Sequence, residues 1–266
     1  MTELTNKVVW LTGASSGIGE ALAYELAKKG VRLILSARRQ EELDRVRSQC
    51  AIEAHPHIRI HSLDLAKHDS LEAATKEALA FFGHIDILIN NGGISQRSMV
   101  QETSFEVYRR LMEVNFFGAI ALTKHLLPHF VSRKQGHFVT MSSLAGKFGT
   151  PFRSGYAASK HALHGFFDAV RAEHWKDNIS VTMVCPGVIY TPISMAALTG
   201  DGSPLNKMDN LQAKGKPSDW CARLIVKAIE KKKEEVYIGG KEIILLYIKR
   251  FFPVLFSKII RKVTVR

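Results

Sequence analysis

Tyr156 and Lys160 are the two residues of this sequence whose types and spacing best suit proton transfer. They lie four positions apart in a segment of helical periodicity, so they share one helix face about one turn apart. A tyrosine phenol ordinarily has a pKa of about 10. A neighbouring ammonium and the positive end of a helix both favour the phenolate, so the pair suits general acid–base catalysis on an alcohol or ketone. A core tyrosine beside a surface lysine would show the same spacing, so the pair alone decides nothing.

A glycine-rich corner follows the first apolar run of the chain. Residues 12–19 read Thr-Gly-Ala-Ser-Ser-Gly-Ile-Gly, and a helical pattern begins at Glu20. Glycines at a strand-to-helix corner permit a tight turn and let the backbone approach a pyrophosphate at the positive end of the helix. The corner therefore predicts dinucleotide binding, with a turn that binds nothing as the alternative.

The end of the second apolar run indicates which dinucleotide is bound. A carboxylate about 20 residues after the glycines would bind the ribose 2′-hydroxyl of NAD. Here the run ends in Ser-Ala-Arg-Arg at residues 36–39, and no acid follows until Glu41. A guanidinium at Arg38 matches a 2′-phosphate in charge and geometry, which predicts NADP(H). For Arg39, a solvated residue that opens the next helix is an equally good interpretation.

Short apolar, β-branched runs alternate with longer segments of helical period along the whole chain. This alternation predicts an α/β fold of three layers, in which helices cover both faces of a doubly wound parallel sheet of about seven strands. The predicted strands are residues 7–12, 31–36, 58–63, 86–90, 137–141, 180–185 and 235–238, and the predicted helices are residues 17–29, 40–54, 68–83, 104–131, 155–176 and 218–233.

Polar or glycine-containing clusters follow several of these strands. Asn-Asn-Gly-Gly at 90–93 follows the fourth strand, Ser142 and Ser143 follow the fifth, and Pro186 and Gly187 follow the sixth. Because ligands of an open parallel sheet bind beyond the carboxyl ends of the strands, these clusters and the glycine corner predict one site at one edge. The irregular stretch 191–217 is long enough to be a functional loop beside it.

The combined motifs resemble those of the short-chain dehydrogenase/reductases over about residues 7–240. The similarity extends to the hydroxysteroid dehydrogenases and to the branch of dehydrogenase/reductase member 7, and it implies one Rossmann-type catalytic domain. The residues that carry the resemblance are Thr12, Gly13, Gly17, Gly19, Asn90, Asn91, Gly93, Asn115, Ser143, Tyr156, Lys160, Pro186, Gly187, Ile189 and Thr191.

The resemblance implies a role for each residue of the site. Tyr156 would donate a proton in reduction or accept one in oxidation, Lys160 would favour the phenolate and hold the nicotinamide ribose, and Ser143 would bind the substrate oxygen. Ser142 is the less favoured serine, and Asn115 would anchor a water in a proton relay. The implied contacts of the NADP(H) cofactor are Gly13, Ser15, Ser16, Gly17, Ile18, Gly19, Arg38, Arg39, Asp64, Leu65, Asn91, Gly93, Tyr156, Lys160, Pro186, Gly187, Ile189 and Thr191. Among these, the resemblance implies that Asn91 contacts the ribose, Asp64 and Leu65 the adenine, and Ile189 and Thr191 the carboxamide.

Two positions depart from the family pattern. Gly92 stands where the family usually has alanine, which predicts only a looser turn. Ser16 stands where many NADP-binding members have a basic residue within the glycine loop, so the prediction of NADP(H) depends mainly on Arg38.

The charge distribution and the histidines of the chain indicate neither a nucleic-acid partner nor a metal site. The net charge is +12, and residues 249–266 contribute half of it with six basic residues and no acid, so the excess does not indicate a nucleic-acid surface. The 11 histidines show no metal-binding pattern and predict no metal site. Three separate cysteines, Cys50, Cys185 and Cys221, predict reduced thiols in a cytoplasmic protein.

The chain is predicted to comprise a catalytic domain, residues 1–242, and a basic C-terminal segment, residues 243–266. Beyond Pro253, apolar residues recur at helical spacing opposite Lys258, Arg261 and Lys262. This pattern predicts an amphipathic helix of about 12 residues, which would lie on a membrane surface or, equally well, pack on protein. No signal peptide and no spanning apolar run of 18 residues is expected.

The expected activity is interconversion of an alcohol and a ketone or aldehyde on a bulky hydrophobic substrate. Ile94, Phe148 and Phe152 are candidates for an apolar substrate wall, although core packing explains them as well. The family resemblance also implies a homodimer or homotetramer. The alternative from another class is a non-catalytic NADP(H)-binding sensor or scaffold.

Overall fold

Seven parallel strands form one sheet in the order β3-β2-β1-β4-β5-β6-β7. The structure is a computed structural model that describes residues 3–263. The chain reverses direction of winding between β1 and β4, so the sheet is doubly wound as predicted. The strands are β1 (Val8–Thr12), β2 (Arg32–Ala37), β3 (Ile58–Ser62), β4 (Ile87–Asn90), β5 (Gly136–Met141), β6 (Ile179–Pro186) and β7 (Glu235–Ile238).

Helices cover both faces of the sheet because the central strands are apolar on both sides. The helices are α1 (Gly17–Ala27), α2 (Gln40–Ser48), α3 (Leu71–Phe82), α4 (Phe105–Met112), α5 (Gly118–Arg133), α6 (Ser154–Glu173), α7 (Asn210–Ala213), α8 (Ser218–Glu230), α9 (Ile244–Phe251) and α10 (Pro253–Ile260). Helices α1, α2 and α8 bury their apolar side chains against one face. Helices α3, α5 and α6 do so against the other face.

The long helix predicted over residues 104–131 is interrupted. A π-helical turn, Glu113–Phe117, separates α4 from α5 and places Asn115 in its middle. Such turns insert an extra residue into a helix and are frequent at functional sites. The turn adds one residue to the helical repeat, a change that the apolar spacing of the segment did not indicate.

The stretch 191–217 is structured rather than a free loop. It holds a 3₁₀ turn, Pro192–Ser194, and the short helix α7. Leu198 bridges to Gln96 and to Pro204, and Ile189 bridges to Lys216. The segment therefore folds back over the carboxyl edge of the sheet.

The C-terminal segment differs from the single amphipathic helix of about 12 residues predicted after Pro253. Two helices occur, and the second ends at Ile260; residues 264–266, with Arg266, lie outside the described part. Phe256 is buried against Leu144, Phe148 and Cys185. Phe252 and Leu255, predicted to share its face, are exposed instead. Phe252 precedes α10 and has a non-helical backbone conformation, so it does not continue the helix face that carries Phe256.

No helix within residues 3–263 is both long and apolar enough to cross a bilayer.

Candidate active site

A cleft of about 560 Å³ opens at the carboxyl ends of the strands. Its walls come from the segments that follow β1, β2, β3, β4, β5 and β6, which is the edge where parallel sheets bind ligands. Every residue that the sequence assigned to catalysis or cofactor binding lines this cleft, with Asn115 as the exception. The topology thus brings together segments up to 178 positions apart, from Gly13 to Thr191.

The glycine corner is shaped by backbone that side chains would obstruct. Gly13 and Gly17 have φ values of +64° and +60°, which favour glycine. A Cβ on Gly19 would lie 2.0 Å from the Gly13 carbonyl oxygen. Ser16, which precedes α1, makes no side-chain capping bond, so the first turn of the helix presents backbone N–H groups to the cleft. This arrangement fits a pyrophosphate.

Thr12 and Asn91 hold the glycine corner against the end of β4. The Asn91 amide donates hydrogen bonds of 3.0 Å to the carbonyl oxygens of Thr12 and Gly13. The Thr12 hydroxyl accepts from the backbone N–H groups of Asn91 and Gly92 at 3.0 and 3.1 Å. Asn91 thereby supports the corner, a role that its predicted ribose contact did not include.

Gly92 makes room for a neighbouring side chain. A Cβ at this position would lie 2.5 Å from Cδ1 of Leu65, a predicted adenine contact. No positive φ is found at Gly92, so the expectation that this glycine only loosens a turn is incomplete. Its absent side chain lets Leu65 approach the corner.

The end of β2 carries Arg38 and Arg39, both exposed at the rim of the cleft. Neighbouring Arg45, on α2, was not identified from the sequence. Its guanidinium pairs with Glu20 of α1 at 2.8 Å and donates to the Ser15 carbonyl oxygen at 3.3 Å. These contacts connect α2 to the glycine corner, and the hydrogen bond from Arg45 lowers the pKa of Glu20.

Tyr156 and Lys160 lie on the first turns of α6, and both face the cleft. The Lys160 ammonium is 5.9 Å from the centre of the Tyr156 ring. It donates a 2.7 Å hydrogen bond to the Met141 carbonyl oxygen at the end of β5. Lys160 is buried, and burial lowers its pKa to about 8 because water no longer stabilises the ammonium.

The two serines after β5 have different surroundings. Ser143 is half-buried at the cleft, where its hydroxyl accepts from the Ala145 N–H at 3.1 Å and donates to the Pro186 carbonyl oxygen at 3.4 Å. The Ser142 hydroxyl instead lies against α6, 2.9 Å from His164 Nε2. Both serines and Tyr156 line the cleft, but the hydroxyl of Ser142 is engaged by α6, whereas that of Ser143 is not.

Asn115 lies behind the cleft wall rather than in it. Its side-chain oxygen accepts from the Ile94 N–H at 2.8 Å, and its amide donates to the Ile94 carbonyl oxygen and to Ser159 at 3.0 and 2.9 Å. Gly93 permits this approach, since a Cβ there would lie 3.0 Å from Asn115 Oδ1. Asn115 thus fixes the segment after β4, while its role as a water anchor stays a prediction.

Gln96 is a buried residue of the site that sequence reasoning missed. Its side-chain oxygen accepts from the backbone N–H groups of Gly155 and Tyr156, at 2.7 and 3.4 Å, and so caps α6 at the turn that carries Tyr156. Its amide donates to Thr103 and Ser98 at 2.9 and 3.1 Å. Gln96 and Gly155 lie 59 positions apart, so no local sequence pattern predicts this contact.

A buried ion pair joins the segment after β4 to the stretch 191–217. Arg97 donates to Asp209 Oδ2 from Nε and Nη2, at 3.0 and 2.6 Å, and both side chains are 1% exposed. Asp209 also caps α7. From α7, the Gln212 amide donates to Thr191 and to the Ile189 carbonyl oxygen at 3.0 and 2.6 Å. No sequence signal identified this pair beyond a charged residue beside an apolar strand end.

A second polar cluster lies under the site. His164, Cys185 and Glu235 each contribute one atom that could coordinate a metal ion, and these three atoms lie within 4.8 Å of one another. Glu235 is also paired with Lys147, whose positive charge disfavours a cation there. Burial lowers the pKa of His164 to about 4. Of the predicted apolar wall, Phe148 belongs to the core with Phe256 and does not line the cleft, whereas Ile94 does.

Comparison with known proteins identifies the family. The sequence profile described as short chain dehydrogenase matches residues 7–201. Dehydrogenase/reductase SDR family member 7 of Homo sapiens is 44% identical over 256 residues, which are 94% of this chain and 76% of that protein. Member 7B of Bos taurus is 42% identical over 260 residues, 96% of this chain and 80% of that protein. A short chain dehydrogenase/reductase of Burkholderia phymatum, solved in complex with NAD, has a TM-score of 0.84 at 21% identity over 96% of each chain.

Proposed function

The chain belongs to the short-chain dehydrogenase/reductases, in the branch of member 7, and we propose that it is an NADP(H)-dependent oxidoreductase that interconverts an alcohol and a ketone or aldehyde. The observation that carries the proposal is the shared cleft of Ser143, Tyr156 and Lys160, which is continuous with the glycine corner. A non-catalytic sensor would need no such set of polar groups beside the cofactor cleft.

The residues of the corner fit a nicotinamide dinucleotide. Gly13, Gly17 and Gly19 with the first turn of α1 would hold the pyrophosphate, and Asp64 and Leu65 would contact the adenine. Asn91 and Lys160 would contact the ribose, and Ile189 and Thr191 would contact the carboxamide; Gly93, Pro186 and Gly187 line the same cleft. When bound, the cofactor supplies or accepts a hydride.

Tyr156 would exchange the proton with the substrate oxygen. The Lys160 ammonium lies 5.9 Å from the centre of the Tyr156 ring and is buried, so it is placed to interact with the phenol. Ser143 would hold the same substrate oxygen by a hydrogen bond, and Gln96 keeps Tyr156 in place through the backbone of α6. Asn115, behind Ile94, would support a water in the proton path.

The preference for NADP(H) over NAD(H) rests on Arg38. Its guanidinium lies at the rim of the cleft where β2 ends, and this end of β2 carries no carboxylate. A guanidinium donates paired hydrogen bonds to a phosphate and stabilises its charge. Arg39 and Ser16 line the same region and would contact the phosphate-bearing ribose.

The substrate is proposed to be bulky and largely hydrophobic. The lining of the cleft includes four apolar side chains besides those of the glycine corner and the predicted cofactor contacts: Ile94, Val114, Ile193 and Met195. Met195 is 38% exposed at the mouth, so it is available to a ligand.

Turnover assays test this function directly. A panel of hydrophobic ketones and alcohols is incubated with NADPH, NADH and their oxidised forms, and cofactor absorbance is followed. Turnover of at least one compound, with higher kcat/KM for NADPH, supports the proposal. Binding of NADPH without turnover of any compound would favour a sensor, and strict preference for NADH would contradict the role of Arg38.

Two assembly proposals accompany the function. The C-terminal helices leave apolar side chains exposed beside the basic residues Lys258, Arg261 and Lys262, namely Ile244, Tyr247, Phe251, Phe252, Val254 and Leu255. We propose that this surface contacts an anionic membrane surface. The double variant Phe251→Ser, Phe252→Ser should reduce flotation with anionic liposomes; equal flotation of variant and wild type would contradict the contact.

The second assembly proposal is that the protein forms a homodimer or a homotetramer. Phe105 and Phe117, near the π-helical turn, are 66% and 42% exposed, which leaves an apolar surface for another subunit. Sedimentation analysis should give twice or four times the monomer mass of 29.7 kDa. A mass of one chain at all concentrations would contradict it.

A further inference from the structure

Three charged side chains meet at the end of the cleft that lies beside Tyr156. Arg97 and Arg153 both approach one carboxylate, that of Asp209. Arg97 and Asp209 are 1% exposed, and the Arg153 side chain is 16% exposed. Two guanidinium groups and one carboxylate leave one positive charge without a counter-charge in this cluster.

Hydrogen bonds from Arg97 and α7 occupy most acceptor positions of the Asp209 carboxylate. Arg97 Nε and Nη2 both donate to Oδ2, and Arg97 Nη1 donates to Ser95 and to the Gln96 carbonyl oxygen, each at 2.7 Å. The other carboxylate oxygen of Asp209 accepts from the Gln212 N–H at 2.5 Å. Every polar edge of Arg97 is thus satisfied, and little of the carboxylate remains for a second arginine.

Arg153 has one long ion-pair contact, with Asp209, and no side-chain hydrogen bond among the described residues. Its nearest carboxylate oxygen, Asp209 Oδ2, lies 3.5 Å from Nη2, and none of its N–H groups makes a hydrogen bond within residues 3–263. Its Nε is inaccessible to solvent. Burial, followed by the charge of Arg97, lowers the pKa of Arg153 to about 10. A buried cation with unused donors destabilises the protein unless something else binds it.

Arg153 faces the cleft three positions before Tyr156, and both residues line it. A ligand in the cleft can therefore reach the guanidinium while its carbonyl group lies at Tyr156. Guanidinium groups bind carboxylate and phosphate oxygens in preference to neutral acceptors, with two parallel hydrogen bonds.

We propose that Arg153 binds an anionic oxygen group, a carboxylate or a phosphate ester, on the substrate whose carbonyl or alcohol reacts at Tyr156. This inference rests on the proposed oxidoreductase function and narrows its substrate class to amphiphilic compounds. The apolar body of such a substrate lies against Ile94, Ile193 and Met195, and its charged end occupies Arg153.

The experiment compares three matched ketones with NADPH: 4-acetylbenzoate, 4-acetylphenyl phosphate and neutral methyl 4-acetylbenzoate. Wild type should show at least about tenfold higher kcat/KM for one anionic ketone than for the ester, since a hydrogen bond to a charged group contributes this much. The anion that is preferred identifies carboxylate or phosphate. Arg153→Met should remove the preference and leave the ester within about twofold, and Arg153→Lys should retain part of it.

Controls separate this role from others. Arg110→Met removes an exposed arginine of α4 and should change nothing. If Arg153 acted on Tyr156 instead, Arg153→Met would lower kcat/KM for the ester as much as for the anions, which would overturn the proposal. The cofactor-free Arg153→Met protein should melt at or above the wild-type Tm because a largely buried charge without side-chain hydrogen bonds is removed; a large fall in Tm would overturn it too.

A binding measurement keeps the inference separate from the catalytic proposal. With saturating NADP⁺, an anionic ketone should raise the Tm of wild type and not that of Arg153→Met, whether or not any ketone is reduced. Absence of turnover with this shift present would contradict the proposed function and support the anion subsite. Equal shifts in both proteins, or equal kcat/KM of wild type for acid and ester, would contradict the subsite.

Discussion

The part of the cleft around the glycine corner is shaped by backbone, whereas the part around Tyr156 is held by buried side chains that lie far apart in the sequence. In the first part, called here the nucleotide half, Gly13, Gly17 and Gly19 remove side chains from a tight corner. In the second, the substrate half, Arg97 reaches Asp209 across 112 positions. Backbone geometry therefore shapes the nucleotide half, and contacts between segments distant in the sequence shape the substrate half.

The largest effect is expected from breaking the buried pair of the substrate half. Arg97→Met leaves Asp209 buried without its main partner and should lower the free energy of unfolding by about 3–5 kcal/mol. The matched control is Arg223→Met, which removes an exposed pair with Asp219 on α8 and should cost less than about 1 kcal/mol. Chemical denaturation measures both. Equal, small losses would show that long-range charge pairing does not hold the substrate half.

Lys160 should make stability depend on pH. Its pKa is about 8 in the folded protein and 10.5 in the reference state, so between these values the unfolded chain binds a proton that the folded chain has released. The free energy of unfolding then rises with pH, by about 3 kcal/mol in total. Wild type, measured without cofactor, should gain this amount relative to Lys160→Met between about pH 7 and pH 10.5. A difference that is constant over this range would mean that Lys160 is not desolvated.

In the nucleotide half, Gly19→Ala should weaken NADPH binding. The added Cβ would lie 2.0 Å from the Gly13 carbonyl oxygen, which has no flexible side chain to move aside. Overpacking of about 1–3 kcal/mol corresponds to an about fivefold to 150-fold higher Kd. The control is Gly165→Ala on α6, where a Cβ meets no atom within 4 Å. Fluorescence titration that finds both variants equal to wild type would refute a corner shaped by backbone.

The smallest effect concerns the exposed rim of the nucleotide half. Arg38→Ala should lower kcat/KM with NADPH about tenfold, because it removes a hydrogen bond to the charged 2′-phosphate. The effect is no larger because solvent screens the attraction between an exposed guanidinium and the phosphate. The value with NADH serves as the internal control and should not change. A parallel fall with both cofactors would assign Arg38 to structure rather than to recognition of the 2′-phosphate.

The sequence predicted the nucleotide half and the sheet because both depend on local pattern. Most strands are short, largely apolar runs, and all seven predicted strands occur within one residue of their predicted ends. The glycine corner was visible because its spacing reflects a turn between adjacent elements. The cleft then follows from topology, since parallel strands gather their carboxyl ends at one edge.

The rest depended on contacts that no local pattern records. Gln96 caps a helix that begins 58 positions later, at Ser154, and Asp209 is paired with a residue on another loop. The packing of the C-terminal helices could not be predicted for the same reason. Helical spacing shows that a helix face is apolar, but it does not show which residues cover that face. Phe256 is covered by the domain, and Phe252 is not.

The most direct test of proton transfer by Tyr156 is to measure both turnover and cofactor affinity in the Tyr156→Phe variant. The account predicts that kcat falls by about 100-fold to 10,000-fold, since the general acid–base is lost. The Kd for NADPH should stay within about threefold of wild type, because the ring and its packing remain. Turnover that survives the substitution at wild-type rates would contradict proton transfer by Tyr156.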